Sequence, residues 1–346
     1  MRTLRTIDTR PPVKSISGQV RNILEELIER EPVDTVEFPE CESLGLDFQR
    51  ANPDFPVVVK LHGDSEMCLV GDAPKWKRIA YRLYKREAAR LAVARERETV
   101  ARAHFVVSPS QWLLNSCLHR KFKISSGSLV VPNPFSGWPV SDGAIENSFI
   151  TSIPNPLCIL WLARLDRRKG ADLLPAIARI VWQSVPEAEF HIIGQQVGKR
   201  PWIDWIQEQV PKRHRAQIVY VGGLPYAEVG GRISSYSMAV FASVWENFPY
   251  TELECMWEGL ACVSASGGGP AELGLNGVSH LRAERSPKKI AESLIKLLRD
   301  ERLRSRIGQV ARNSARSEFN AENVAAQMPE VYEVSRRLAS NRERFL

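Results

Sequence analysis

A chain of 346 residues in which 44% are hydrophobic and 25% charged is an ordinary folded protein with room for two cores, which excludes a disordered, fibrous or small stapled scaffold. Its 47 Lys and Arg against 40 Asp and Glu leave a charge of +7. That balance suits an anionic partner such as a phosphorylated small molecule or an acidic lipid surface, but the basic residues are dispersed and no nucleic-acid motif is present, so a nucleic-acid partner is not expected. The six cysteines (Cys41, Cys68, Cys117, Cys158, Cys255, Cys262) show no CxxC or Cys/His ligand spacing, so no metal site is expected and a reducing compartment fits best. No apolar stretch reaches the ~18 residues of a membrane span, and the basic N-terminus has no apolar core behind it. The expected location is cytoplasmic.

In chain order, one helix is predicted from Gly18 to Arg30, followed by apolar, β-branched runs: DTVEFPE (34 to 40), PVVVKLHG (56 to 63), HFVVSPS (104 to 110) and SLVVPNP (128 to 134). Such runs alternating with helices read as buried parallel strands. Between them, Lys75 to Arg102 carries apolar residues at Trp76, Ile79, Leu83 and Leu91 within a basic surface, an amphipathic helix that suits either solvent or an anionic membrane. Its candidate lipid contacts are Lys75, Lys77, Arg78, Arg82, Lys85 and Arg86, with Trp76 as an anchor. The Pro, Gly, Ser and Asn cluster that follows cannot hold regular structure, and the linker is set at residues 136 to 156.

The alternation restarts with LCILWLA (157 to 163), AEFHIIG (188 to 194), QIVYVGG (217 to 223), MAVFASV (238 to 244) and ACVSASGGG (261 to 269), and a helix closes the chain from about Ala321 to Arg337. Right-handed crossovers make each half a doubly wound α/β sheet. The predicted division is therefore 1 to 135, linker 136 to 156, 157 to 320, and a C-terminal helix over 321 to 346.

Three places in this pattern carry candidate chemistry. Arg164, Arg167, Arg168 and Lys169 follow the first strand of the second half, where cations neutralise a diphosphate; Arg164 and Lys169 are expected to face the crevice and the middle pair to face solvent. Glu246 sits just past a strand and Glu254 eight positions on within a helix, which places two acids at the ligand edge of an α/β sheet, able to grip sugar and ribose hydroxyls. Spacing alone fits a turn residue and a solvated helix residue somewhat better. The next strand ends in Gly267, Gly268 and Gly269 before Pro270, a corner that lets a backbone approach an anion. In the first half His62 and Gly63 close a buried strand at the analogous edge, although a lone histidine there is more often structural.

Together these residues resemble the retaining GT-B glycosyltransferases of group 1, or family four, which carry an E-x7-E motif. Ala163, Arg164, Lys169 and Gly170 fall on G-R-x-x-x-x-K-G; ASVWENFPYTELECMWEGLACVSA follows the family's acidic segment; Gly268 to Glu272 follow G-G-x-x-E; Val131, Pro132 and Asn133 follow V-x-P-N; and Ser108 to Ser110 follow S-P-S. The resemblance runs from about residue 33 to 337. It implies two Rossmann-like domains facing a cleft, with Arg164 and Lys169 on the diphosphate of a UDP-, GDP- or ADP-sugar. Glu254 would meet the ribose, Glu246 and His62 the donated sugar, and the amides of Gly268 and Gly269 the donor. The implied reaction moves a hexose to a saccharide or lipid-linked acceptor with retention and without a required metal or other cofactor, in envelope or exopolysaccharide synthesis.

The chain departs from the pattern at Asn247, where Gly is usual, and at Trp257, Cys262 and Ala163. Only about 33 residues precede the DTVEFPE strand, and the first strand and Gly-rich loop usual in the family are not among them. The first domain is thus expected to be shortened, and a catalytically inactive module that binds a nucleotide sugar or a protein partner stands as the alternative.

Overall fold

The computed structural model describes residues 16–65, 67, 86–124, 127–138, 157–265 and 267–342. Two parallel sheets organise them. The first has strands β1 (Val36–Pro39), β2 (Val57–Lys60), β3 (Phe105–Ser108) and β4 (Ser128–Val130), in that spatial order. Helices α1 (Ile16–Arg30), α2 (Leu46–Ala51), α3 (Arg86–Arg102) and α4 (Gln111–His119) accompany it. Val57, Val59, Val106, Leu113 and Phe48 fill its core. Their β-branched and aromatic shapes suit a sheet covered by helices.

The second sheet contains β5 (Cys158–Leu162), β6 (Glu189–Ile193), β7 (Ile218–Gly222), β8 (Met238–Phe241), β9 (Ala261–Ala265) and β10 (Leu281–Ala283). Its order is β7-β6-β5-β8-β9-β10, all parallel. Relative to this half's own strands that is the doubly wound order 3-2-1-4-5-6, whose direction of winding reverses between β5 and β8. At such a reversal, the C-terminal ends of the strands are where open α/β sheets place their ligand crevice. The helices are α5 (Leu174–Ser184), α6 (Trp202–Gln209), α7 (Tyr226–Ile233), α8 (Tyr250–Trp257), α9 (Pro287–Arg299) and α10 (Glu301–Glu318). One core, with Trp161, Ile177, Phe190 and Leu294, lies on one face of the sheet, and another, with Leu160, Leu253 and Met256, lies on the other.

The chain end does not stay with the second half. Helices α11 (Ala321–Ala325) and α12 (Met328–Arg342) bring Val324 and Val331 into a core with Val58, Val107 and Val131 of the first half. The single predicted helix is thus two pieces. Strand β10 is an addition to the predicted set, because three residues at a sheet edge are too short to show alternation. Helix α3 supplies the later part of the predicted basic helix, whereas Lys75, Trp76, Lys77, Arg78, Arg82 and Lys85 lie outside the described residues, as does the side chain of Arg86. Among the described residues no helix is long and apolar enough to cross a membrane.

Candidate active site

The crevice is built at the winding reversal. The chain leaves β5 through Arg164 to Gly170 and leaves β8 through Ser243 to Asn247. Arg168 O accepts Val244 N–H at 2.7 Å, which ties the two loops together. Gly170 has φ +87°, and a Cβ there would stand 2.2 Å from Ala242 O, so this tight crossing admits only glycine.

Within the crossing, Lys169 Nζ donates to Glu246 Oε1 at 2.5 Å and Arg168 donates to Glu246 Oε2 at 3.3 Å. All three side chains are largely withdrawn from water, with 15% of Lys169, 15% of Arg168 and 11% of Glu246 exposed. Burial raises the Glu246 carboxyl, but the two cations and the hydrogen bonds from Lys169 and Ser243 outweigh it and hold the group below the usual carboxylate range. Glu246 is therefore an anion clasped by two cations. Arg168 also lies over the Trp245 ring at 5.1 Å.

The sequence-based expectation for the four cations needs correction. Arg168 faces inward beside Lys169, while the side chain of Arg164 is 52% exposed and pairs with Asp166 at 3.3 Å. Arg167 is turned outward beside Asp172, as expected. The reason is register: Arg168 and Lys169 are drawn inward where the loop meets β8, and counting positions from the strand end does not reveal that meeting.

Glu254, on α8, is 7% exposed, and among the described residues its carboxyl has neither an ion pair nor a hydrogen bond. Burial alone pushes it up to about 7. Tyr226 and Tyr250 lie close enough to feel its charge. Two residues earlier on the same helix, Glu252 is fully buried, accepts from Ser264 Oγ at 2.8 Å and keeps Oε1 unpartnered. Burial, followed by the nearby charge of Glu246, pushes Glu252 up to about 8 despite the Ser264 hydrogen bond. Glu246 and Glu252 share a cavity of about 10 Å³ with Ser243 and Pro270, and Glu254 does not line it.

The glycine corner after β9 packs directly on this cluster. Gly268 has φ +84°, and a Cβ there would lie 2.3 Å from Glu246 O. Gly269 N–H donates to that same carbonyl at 2.8 Å, so this amide is held within the protein rather than presented to the crevice.

The first half closes the other side. Its sheet brings His62 and Gly63 to the end of β2 and Ser110 to the start of α4. The Asn247 side-chain amide donates to His62 O, and Ser110 Oγ donates to Asn247 O at 2.8 Å. Glu272 reaches across with both oxygens, accepting Gln111 N–H at 2.7 Å and Trp112 N–H at 2.8 Å. Trp112 stacks against Trp245 at 6.4 Å. The structure thus gathers His62, Lys169, Glu246, Gly268 and Gly269 around one interdomain contact, with Glu254 one helix behind and Arg164 at its exposed margin. Sequence reasoning missed Trp112, Trp245 and the bridging use of Glu272, which only the approach of two distant segments creates.

Comparison with known proteins shows what the chain is similar to. Residues 145–314 match the family model of glycosyl transferases group 1. A curated relative, the glycogen synthase of Mycobacterium tuberculosis (strain ATCC 25618 / H37Rv), is 26% identical over 185 residues, which cover 53% of this chain and 44% of that protein. The match thus spans less than half the length of the relative. Sucrose-phosphate synthase from Thermosynechococcus elongatus superposes with a TM-score of 0.69 at 16% identity, over 94% of this chain and 80% of that one. Anabaena HepE in complex with UDP gives 0.70 at 17%, over 90% and 81%. The fold is therefore GT-B, two Rossmann-like halves facing a cleft, and the segment similar to group 1 spans β5 to α9 and most of α10.

Proposed function

We propose that the protein is a retaining glycosyltransferase that moves a hexose from a nucleotide-diphosphate sugar to a saccharide or lipid-linked acceptor, in envelope or exopolysaccharide synthesis. The observation that carries this reading is the Arg168, Lys169 and Glu246 cluster at the winding reversal, with Glu254 behind it, its carboxyl unpartnered among the described residues. Neighbours of the same fold were solved with UDP and with UDP-glucose, which supports a nucleotide sugar as the donor.

In this reading Lys169, which has three N–H donors and gives one to Glu246, offers the others to the diphosphate, joined by Arg168 and by Arg164 from the rim. Their fixed charge stabilises the leaving group as its negative charge grows. Glu246, kept anionic, accepts hydroxyls of the donated sugar, and Glu254 accepts those of the ribose. Gly268 lets the backbone approach the donor, and His62 faces the sugar from the other half. The departing diphosphate remains on the face it leaves and takes the proton of the attacking hydroxyl. Closure of the two halves keeps water from competing with the acceptor.

A thermal-shift panel of UDP-, GDP- and ADP-sugars, followed by turnover of the stabilising donor in radiolabelled form, tests the proposal. Stabilisation with sugar release to an acceptor is expected. Stabilisation without turnover supports the inactive nucleotide-sugar-binding module instead, and no stabilisation by any donor defeats both. A peripheral membrane contact through the basic stretch from Lys75 to Arg86 belongs to the same reading, and it requires salt-sensitive sedimentation with anionic liposomes.

A further inference from the structure

Glu40 closes β1, has no exposed surface, and belongs to none of the motifs that pointed to the site. Its carboxylate nonetheless receives the chain where that chain turns toward the crevice. His62 N–H lies 2.8 and 2.7 Å from its two oxygens, and Gly63 N–H lies 2.6 Å from Oε1. The His62 carbonyl, on the same turn, accepts the Asn247 amide of the other half. The turn is thus held from behind by a buried carboxylate and from the front by the second domain.

The imidazole is oriented by the same arrangement. Its Nδ1 is 3.0 Å from Lys60 O, a pure acceptor, so Nδ1 carries the proton; Glu40 Oε2 stands 3.8 Å from that nitrogen. Among the described residues Nε2 has no hydrogen-bond partner, and the side chain is 47% exposed. Two neutral carbonyls could have satisfied the two peptide N–H groups. A buried carboxylate is a costly substitute unless its charge has a further use.

We propose that Glu40 is a positioning residue of the crevice, whose carboxylate pins the His62 and Gly63 peptides and so holds the His62 imidazole at the cleft with Nε2 outward. This rests on the glycosyltransferase reading for the purpose of His62, but not for the geometry. Among the described residues, the charged groups that act on the imidazole are Glu40, just after β1, and Lys60 from β2. The Glu40 carboxylate beside it raises the imidazole above its usual range, while burial and the Lys60 charge work against it. A Glu40→Gln side chain keeps one acceptor oxygen but turns an NH₂ group toward N–H donors and removes the charge.

The experiment is a histidine titration by NMR on the full chain, with His62→Gln used only to assign the His62 signal. The His62 midpoint is expected to fall by about one pH unit in Glu40→Gln, a tenfold loss of proton affinity, with the remaining histidines unchanged. An unchanged His62 midpoint in a folded variant overturns the proposal. Should that variant not fold, the parent decides. The amide protons of His62 and Gly63 must then shift together as one buried carboxyl titrates, and amides blind to it overturn the proposal. Neither measurement needs donor or acceptor, so failure of turnover and failure of this assignment are separable. Where turnover is measured, Glu40→Gln lowers kcat by about 100-fold with donor KM nearly unchanged; loss through KM alone overturns the positioning role.

Discussion

Lys169 connects the two charges that the proposed reaction uses: the Glu246 carboxylate it holds at 2.5 Å and the diphosphate it would meet. Its interaction with the donor grows as the sugar-phosphate bond breaks, so Lys169→Ala is expected to lower kcat more than it raises donor KM. Steady-state kinetics with the stabilising donor measures that split. Glu254 presents the opposite case, a carboxyl whose ionisation is opposed by burial up to about pH 7. In the proposed site a ribose diol would be gripped by the ionised form, so donor affinity is expected to rise with pH through 7 and then level. Glu254→Gln should remove that dependence and weaken binding by about 1.5–3 kcal/mol, as for a lost hydrogen bond to a charged group. Isothermal calorimetry across pH 6 to 8 checks both.

Among the elements, α4 is the one whose start joins the halves. Ser110 caps it locally by accepting Leu113 N–H at 3.2 Å, while the Glu272 carboxylate takes the amides of Gln111 and Trp112 from the second half. Helix N-termini favour negative charge, so one contact serves both as a cap and as an interdomain tie. Glu272→Ala is expected to cost about 0.5–2 kcal/mol, by analogy with other lost caps, and to release α4 from the second half. Chemical denaturation measures the first effect, and faster amide exchange at Gln111 and Trp112 reads the second. The strands show how much of this scale is legible beforehand. Their apolar runs stand out because both faces of a parallel sheet are covered. Strand β10 is too short for such a run, and the break between α11 and α12 leaves no mark in the hydrophobic period.

For the molecule as a whole, stability carries the imprint of the buried acids. Glu252, at about 8, and Glu254, at about 7, both titrate above their usual range, so the folded state holds protons that the unfolded chain gives up near pH 4.5. Their contribution is complete below that value and is lost as pH rises toward 7 and 8, with each group adding a slope of at most about 1.4 kcal/mol per pH unit. Denaturant unfolding between pH 5 and 8.5 should show falling stability, and Glu252→Gln should flatten that fall. A curve for Glu252→Gln parallel to that of the parent would show Glu252 already ionised in the fold. The same scale reveals why α12 matters: Val331 and the Tyr332 hydroxyl, which donates to Glu37 at 3.1 Å, return the end of the chain to the first sheet. The second half is thereby tied to the first at a further contact besides those of Asn247 and Glu272.

By itself the sequence determined the two parallel sheets and the segments that meet at the cleft. Hydrophobic runs, glycine corners and the spacing of Arg164, Lys169, Glu246 and Glu254 are local properties, written within one strand, turn or helix. Tertiary structure alone decided which charges pair. Arg168 rather than Arg164 clasps Glu246 because the loop after β5 crosses the end of β8 in one register. Glu40 reaches the His62 turn because β1 and β2 are neighbours. Glu272 reaches α4 because two distant segments face each other across the cleft. Electrostatic and hydrogen-bonding partners are chosen by distances of a few ångströms between residues far apart in the chain, and no periodicity of a linear sequence encodes those distances.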